Sequence, residues 1–215
     1  MLLIFGFKVR FKTLASIVFH CPNCGGDREG SHQAARRWFT LFWIPLIPLN
    51  QVGEVVTCST CGSRYDPAVT ELPTTAAIGE SFTVATRVIA AMLVRTGDPS
   101  DPLLRQHALG TIRAVVDPYD EETFANDVVS VDSAYAEQYT APLNDSIAVE
   151  GKERLLADLT RVALAGGTIT DDQRRVLDLA GRGLGLTPAH ISGVVASVTR
   201  AGSPDVDPTD PTHPI

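Results

Sequence analysis

Two periodicities divide the chain. Residues 7–12, "FKVRFK", alternate apolar and basic side chains, the pattern of a half-buried strand. "SIVFH" (16–20), "RRWFTLFWIPLIPL" (36–49) and "GEVVTC" (53–58) are rich in aromatic and β-branched residues. Pro45 and Pro48 confine the second of these to a sheet edge or a strand end. The first 66 residues therefore read as short β-hairpins. Residues 67–80, "PAVTELPTTAAIGE", keep neither period and read as a linker.

From Ser81 the period becomes helical. Phe82, Ala85, Ile89 and Met92 share one face, as do Leu155, Leu156, Leu159, Val162 and Ala163. Thr170 and Gln173 form a capping box ahead of Val176, Leu177 and Ala180. Thr187 caps a last helix, with Pro188 at its first position and Ile191, Val194, Val195 and Val198 inward. Asp-Pro pairs at 101 and 117 open two further helices. Six or seven helices and no strand give an all-α bundle over 81–200. The tail 201–215, with four prolines and three aspartates, is expected to be disordered.

Charge sharpens this division. The 215 residues carry a net −7, but residues 1–66 hold seven Lys/Arg against four Asp/Glu, and the remainder eleven against twenty-one. An acidic chain is a poor default partner for nucleic acid. The N-terminal "MLLIFGFKVRFK" has its cations after the apolar stretch, the wrong order for a signal peptide, and no apolar run reaches the length of a membrane span. A cytoplasmic protein is expected, with at most a peripheral membrane contact.

All four cysteines fall in two pairs, "CPNC" at 21–24 and "CSTC" at 58–61. A reducing compartment disfavours disulfides. Two C-x-x-C turns facing each other offer four thiolates at tetrahedral corners, which suits Zn²⁺. The glycine after each second cysteine suits a knuckle that needs positive φ. Cys21, Cys24, Cys58 and Cys61 are thus the expected metal ligands of a zinc ribbon, with His20 and His32 as bystanders. Paired redox disulfides or four unrelated buried thiols are the other readings. A β module of this size has little core, so the metal would supply much of its folding free energy.

The segments "MLLIFGFKVRFKTL", "CPNCGG", "ARRWFTLFWIPLIPL" and "GEVVTCSTCGSRYD" together resemble a bacterial zinc-ribbon family found at the N-terminus of small proteins. That resemblance implies the same four ligands and no activity. "AAMLVRTGDPSDPLLRQHALGTI" and "TRVALAGGTITDDQRRVLDLAG" both run helix, glycine turn, polar pair, helix. This echo resembles the tellurite-resistance TerB family, an all-α fold of two similar halves. The family's turn reads A-D-G-x-I-D-x-x-E and its carboxylates are thought to bind a metal. Here Gly166, Thr170 and Gln173 stand at the acidic positions, and Thr96 and Leu103 at those of the first turn. Asp98, Asp101, Asp171 and Asp172 remain as helix N-terminal charges.

No catalytic constellation emerges. His107 and His190 are lone histidines on helices, "DPYDEE" at 117–122 is a helix start, and "GRGLG" at 181–185 follows a helix and so fails the context of a phosphate loop. The expected whole is α+β in two domains, a zinc ribbon (1–66) and a TerB-like bundle (81–200). Its expected role is a non-enzymatic interaction or scaffold protein with an unidentified protein partner, linked by resemblance to tellurite or stress response. A nucleic-acid-associated ribbon and a metal-dependent enzyme using helical carboxylates are the alternatives.

Overall fold

The computed structural model describes residues 5–41 and 44–202. The chain is mixed α+β: the described residues form an antiparallel four-stranded sheet followed by seven α-helices. It divides into two compact units, Met1–Ala77 and Ile78–Ile215. The tail expected to be disordered lies, from residue 203, outside the described residues.

In the first unit the strands run β1 (Phe5–Cys21), β2 (Gly26–Leu41), β3 (Ile44–Cys58) and β4 (Arg64–Tyr65), paired in that order. The sequence suggested short hairpins; the chain instead builds three long strands. "FKVRFK" and "SIVFH" join into one strand because a bulge between Thr13 and Ala15 resets the phase without breaking the ladder. The bulge moves odd-numbered residues to the other face. Phe7, Val9 and Phe11 therefore lie opposite the face that carries Ile17, Phe19 and Cys21. At that end Phe19, Cys21, Val56 and Cys58 are buried, with Ile17, Cys24, Tyr65 and Val69 packed around them. Phe19 meets Tyr65 edge-on, centroids 6.0 Å apart. Gly30 is required beneath the Phe19 ring, since a Cβ there would sit 2.6 Å from the ring and 2.9 Å from the Thr57 carbonyl.

The linker expected over 67–80 is largely structured. Residues Pro67–Glu71 form a 3-10 turn capped by Asp66, and α1 (Thr75–Thr96) starts six residues before Ser81. Within the first unit the Asp27 carboxylate accepts from the backbone N–H groups of Thr75 (3.0 Å) and Ala76 (3.4 Å). These bonds hold the Asp27 pKa below the usual carboxylate range.

The second unit contains α2 (Pro102–Arg113), α3 (Glu121–Ser130), α4 (Ala136–Thr140), α5 (Val149–Ala165), α6 (Asp171–Gly183) and α7 (Pro188–Gly202). The apolar faces read from the sequence on α5, α6 and α7 line one core with α1, α2 and α3. α1 is buried beyond a single stripe: Ala90, Ala91, Leu93 and Val94 are enclosed as well as Ala85, Ile89 and Met92. Pro67–Thr96 is apolar enough, by length and composition alone, to cross a membrane. In the fold its C-terminal half is the centre of the bundle, where a helix is apolar all round. "GRGLG" ends α6: Gly185 has φ 74° and Leu186 N–H bonds the Gly181 carbonyl at 3.0 Å. A Cβ on Gly183 would sit 2.3 Å from the Glu137 carbonyl oxygen, so α4 and α6 touch through that glycine.

One ion pair ties α1 to α3. Arg87 holds Asp127 bidentately (2.5 and 2.7 Å), and the Tyr119 hydroxyl donates to the same carboxylate. Burial pushes the Asp127 pKa up, but the Arg87 and Tyr119 hydrogen bonds outweigh it and hold the group below its ordinary value. A depressed folded pKa contributes stability above the unfolded value of about 3.9, and loses it as pH falls through the folded value. Asp127→Asn is therefore expected to cost about 1–2 kcal/mol at pH 7, a modest figure because Arg87 is partly solvated and screened. It should also flatten the melting-temperature profile between about pH 5 and pH 2. Parallel profiles for the two proteins would remove Asp127 from the acid transition.

Candidate metal centre

The four cysteines converge. Their sulfurs all lie within 4.8 Å of one another, and among the described residues they are the group of Cys, His, Asp and Glu arranged to hold a metal ion. Cys21 Sγ is 3.8 Å from Cys61 Sγ, and Cys24 Sγ is 4.0 Å from Cys58 Sγ. A tetrahedron with metal–sulfur bonds of about 2.3 Å has edges of about 3.8 Å, close to these two separations, and the remaining pairs, all within 4.8 Å, need only draw in to hold an ion. None of the four is in a disulfide.

Local sequence builds both halves in the same way. Each pair closes a turn at a strand end: Gly25 N–H bonds the Cys21 carbonyl at 2.9 Å and Gly62 N–H bonds the Cys58 carbonyl at 3.0 Å. Gly25 and Gly62 have φ of 66° and 72°, the conformation that favours glycine after each second cysteine. The turns aim donors at sulfur. Cys21 receives the Tyr65 hydroxyl at 3.3 Å and the amides of Cys24 and Asn23; Cys61 receives the Ser63 hydroxyl and amide. β4 supplies Tyr65, a donor the sequence reading had not singled out; an aromatic hydroxyl four residues after the last cysteine was the available signal.

The thiols divide charge unevenly. Hydrogen bonds from Ser63 bring Cys61 down to about 5. Burial, then the neighbouring sulfurs, push Cys24 up to about 12. Burial opposes ionisation of Cys21, but its hydrogen bonds win and its pKa falls. Four sulfurs this close cannot all ionise against one another; a divalent cation at their centre removes that penalty.

The histidines stand aside. His20 Nδ1 lies 3.7 Å from Asp27 and His32 Nε2 lies 2.7 Å from Glu54, and neither joins the sulfur cluster. In the second unit His107 is exposed on α2, beside an open cleft of about 580 Å³ lined also by Asp158 and Arg161. Those two pair with each other. His190 is half-exposed and bonded to Glu153.

Asp98, Asp101 and Asp172 are engaged by nearby groups. Asp101 caps α2 through the N–H groups of Leu103 and Leu104. Asp98 accepts from Ser100, and Asp172 pairs with Arg175 at 2.6 Å. Asp120, not Asp117, caps α3, so the Asp-Pro signal lies three residues too early there. At the turn before α6, Thr170 Oγ1 accepts from Gln173 N–H and donates to the Thr96 carbonyl. Buried Gln173 accepts from Thr170 N–H and donates to the Leu93 carbonyl, each at 3.0 Å. Ca²⁺, Mg²⁺ or Mn²⁺ should accordingly leave the melting of the helical unit unchanged. A ligand at 100 times its dissociation constant adds about 2.7 kcal/mol, a shift of several degrees. A rise of that size in a calorimetric scan would mean that these carboxylates bind cations.

No protein-family model, no curated protein and no solved structure matches this chain.

Proposed function

We propose that this chain is a non-enzymatic binding protein whose N-terminal sheet is a zinc-ribbon module. The observation that carries this reading is the four-sulfur cluster, closed by two glycine knuckles on a sheet whose remaining core is Phe19 and Val56 with a few partly buried neighbours. Thiolate-only donor sets select soft or borderline ions, and four protein ligands leave no open position for a substrate or water, the mark of a structural site. The metal's role is then to fix the strands, and the strands present a surface. The helical unit, similar in its turn pattern to the tellurite-resistance TerB family, serves as a second binding body. Its departures at Gly166, Thr170 and Gln173 support a role without catalytic metal.

Cobalt substitution tests the site directly. Metal-free, reduced protein titrated with Co²⁺ should develop the intense visible d–d bands and sulfur-to-metal charge transfer of a tetrahedral tetrathiolate, saturating at one equivalent, and zinc should bleach them. The weak pale-pink spectrum of six-coordinate cobalt would refute the ligand set.

A further inference from the structure

Along the first unit's sheet the exposed apolar side chains gather at the end far from the cysteines, although Leu14 and Val18 are exposed nearer to them. The strand register orders them. Phe7 pairs with Phe39, which pairs with Ile47; Leu41 pairs with Ile44. At this end Phe7, Ile44, Leu46 and Ile47 are each more than half exposed. One step inward, Lys8 pairs with Trp38 and Arg10 with Arg36, and Val9 with Arg37; Lys12 follows opposite Ala34. Five cations thus follow the apolar end along the strands, Lys8, Arg10, Lys12 and Arg36 on the face opposite Phe7 and Arg37 on the same face. No Asp or Glu occurs in 5–14 or 33–53, although the chain as a whole carries −7. Trp38 sits at the junction, with Arg10 5.9 Å from its ring. The sulfur cluster lies at the opposite end of the same strands, so the apolar end takes no part in the core around it.

We propose that this end of the sheet docks on a lipid bilayer bearing anionic headgroups. Soluble surfaces rarely expose a contiguous apolar patch without a partner. A single-stranded nucleic acid would satisfy the cations and Trp38 but leave Phe7, Ile44, Leu46 and Ile47 in water. A bilayer satisfies both zones at once, aliphatic side chains among the acyl chains and cations among the phosphates. Trp38 takes the interfacial level favoured by amphipathic rings. The dimensions agree. From the level of Trp38 to that of Leu41 is about 10 Å at roughly 3.3 Å per residue, and interfacial elements bury about 5–10 Å. Deeper entry is blocked, because among the described residues β1 pairs only with β2, and the backbone groups on its outer edge cannot be desolvated in hydrocarbon. The proposal rests on the reading of the sheet as a binding surface; the metal identity does not enter it.

Full-length, zinc-loaded protein should co-sediment with phosphatidylcholine vesicles containing phosphatidylglycerol, far less with phosphatidylcholine alone, and binding should weaken as salt rises. Replacing Lys8, Arg10 or Arg36 with Gln should lower the partition constant about fivefold each. Ile47→Asp should abolish partition on an unaltered metal site, confirmed by an unchanged zinc-to-chain ratio. Equal recovery with and without vesicles overturns the proposal. So does tighter binding to a single-stranded oligonucleotide than to the vesicles, or a stable dimer that Ile47→Asp converts to a monomer. In each of these outcomes the zinc-ribbon reading, measured by cobalt, stands or falls separately.

Discussion

Cys58→Ser is expected to unfold the N-terminal sheet while the helical unit stays folded. Cys58 is buried at the end of β3, and its sulfur is 4.0 Å from Cys24. Serine keeps the size but loses the thiolate, leaving three ligands and an open position. The apparent binding energy of a structural zinc site is about 10–16 kcal/mol, and in a module this small it is folding energy. The described core at this end is Phe19 and Val56 with partly covered Ile17, Tyr65 and Val69, and it cannot replace that contribution against the entropy of ordering the strands. Sheet amides should collapse to unfolded chemical shifts in a heteronuclear NMR spectrum while helical-unit resonances persist. Excess chelator should give the same spectrum with the native sequence. A Cys58→Ser protein whose sheet amides keep their native dispersion would show that the metal is dispensable to the fold.

The second large effect is expected from Gln173→Glu, which replaces a buried amide at the start of α6 with a carboxylate. Gln173 is 2% exposed. Its amide group works in both directions, accepting from Thr170 N–H and donating to the Leu93 carbonyl near the end of α1. Glutamate can do the first but not the second. Ionised, it would set a buried carboxylate against a carbonyl oxygen; protonated, it must raise its pKa far above the usual range. A cost of about 3–4 kcal/mol at pH 7 follows, lowering the melting temperature of the helical unit by roughly 10 °C, with partial recovery as pH falls. A melting temperature within 2 °C of the parent, on the order of half a kcal/mol, would mean that the Leu93 bond contributes little. The sequence reading treated Gln173 as the loss of a ligand; the structure gives it a structural role that requires an amide.

That contrast marks how far the sequence was legible. The apolar faces of α5, α6 and α7 are set by residues three and four apart, so periodicity finds them. The cysteine knuckles are local too, and the glycines that complete them follow each pair directly. What sequence reasoning missed depends on distant partners. α1 starts at Thr75 because Asp27, 48 residues away in sequence, takes up its first amides; "TTAAIG" has no apolar period to announce a helix. β1 is one strand because a bulge at Leu14 preserves the pairing with β2, which no pattern within β1 reveals. The run of cations behind an apolar end becomes visible only through register: Arg36 and Arg37 are neighbours in sequence, but Lys8, Arg10 and Lys12 join them only across strands.

The central claim, that the four cysteines hold one structural zinc, is tested most directly by elemental analysis of full-length protein purified reduced and without chelator. One zinc per chain is predicted, falling to a small fraction of that in Cys58→Ser. Folded protein with four free thiols and no metal would contradict it.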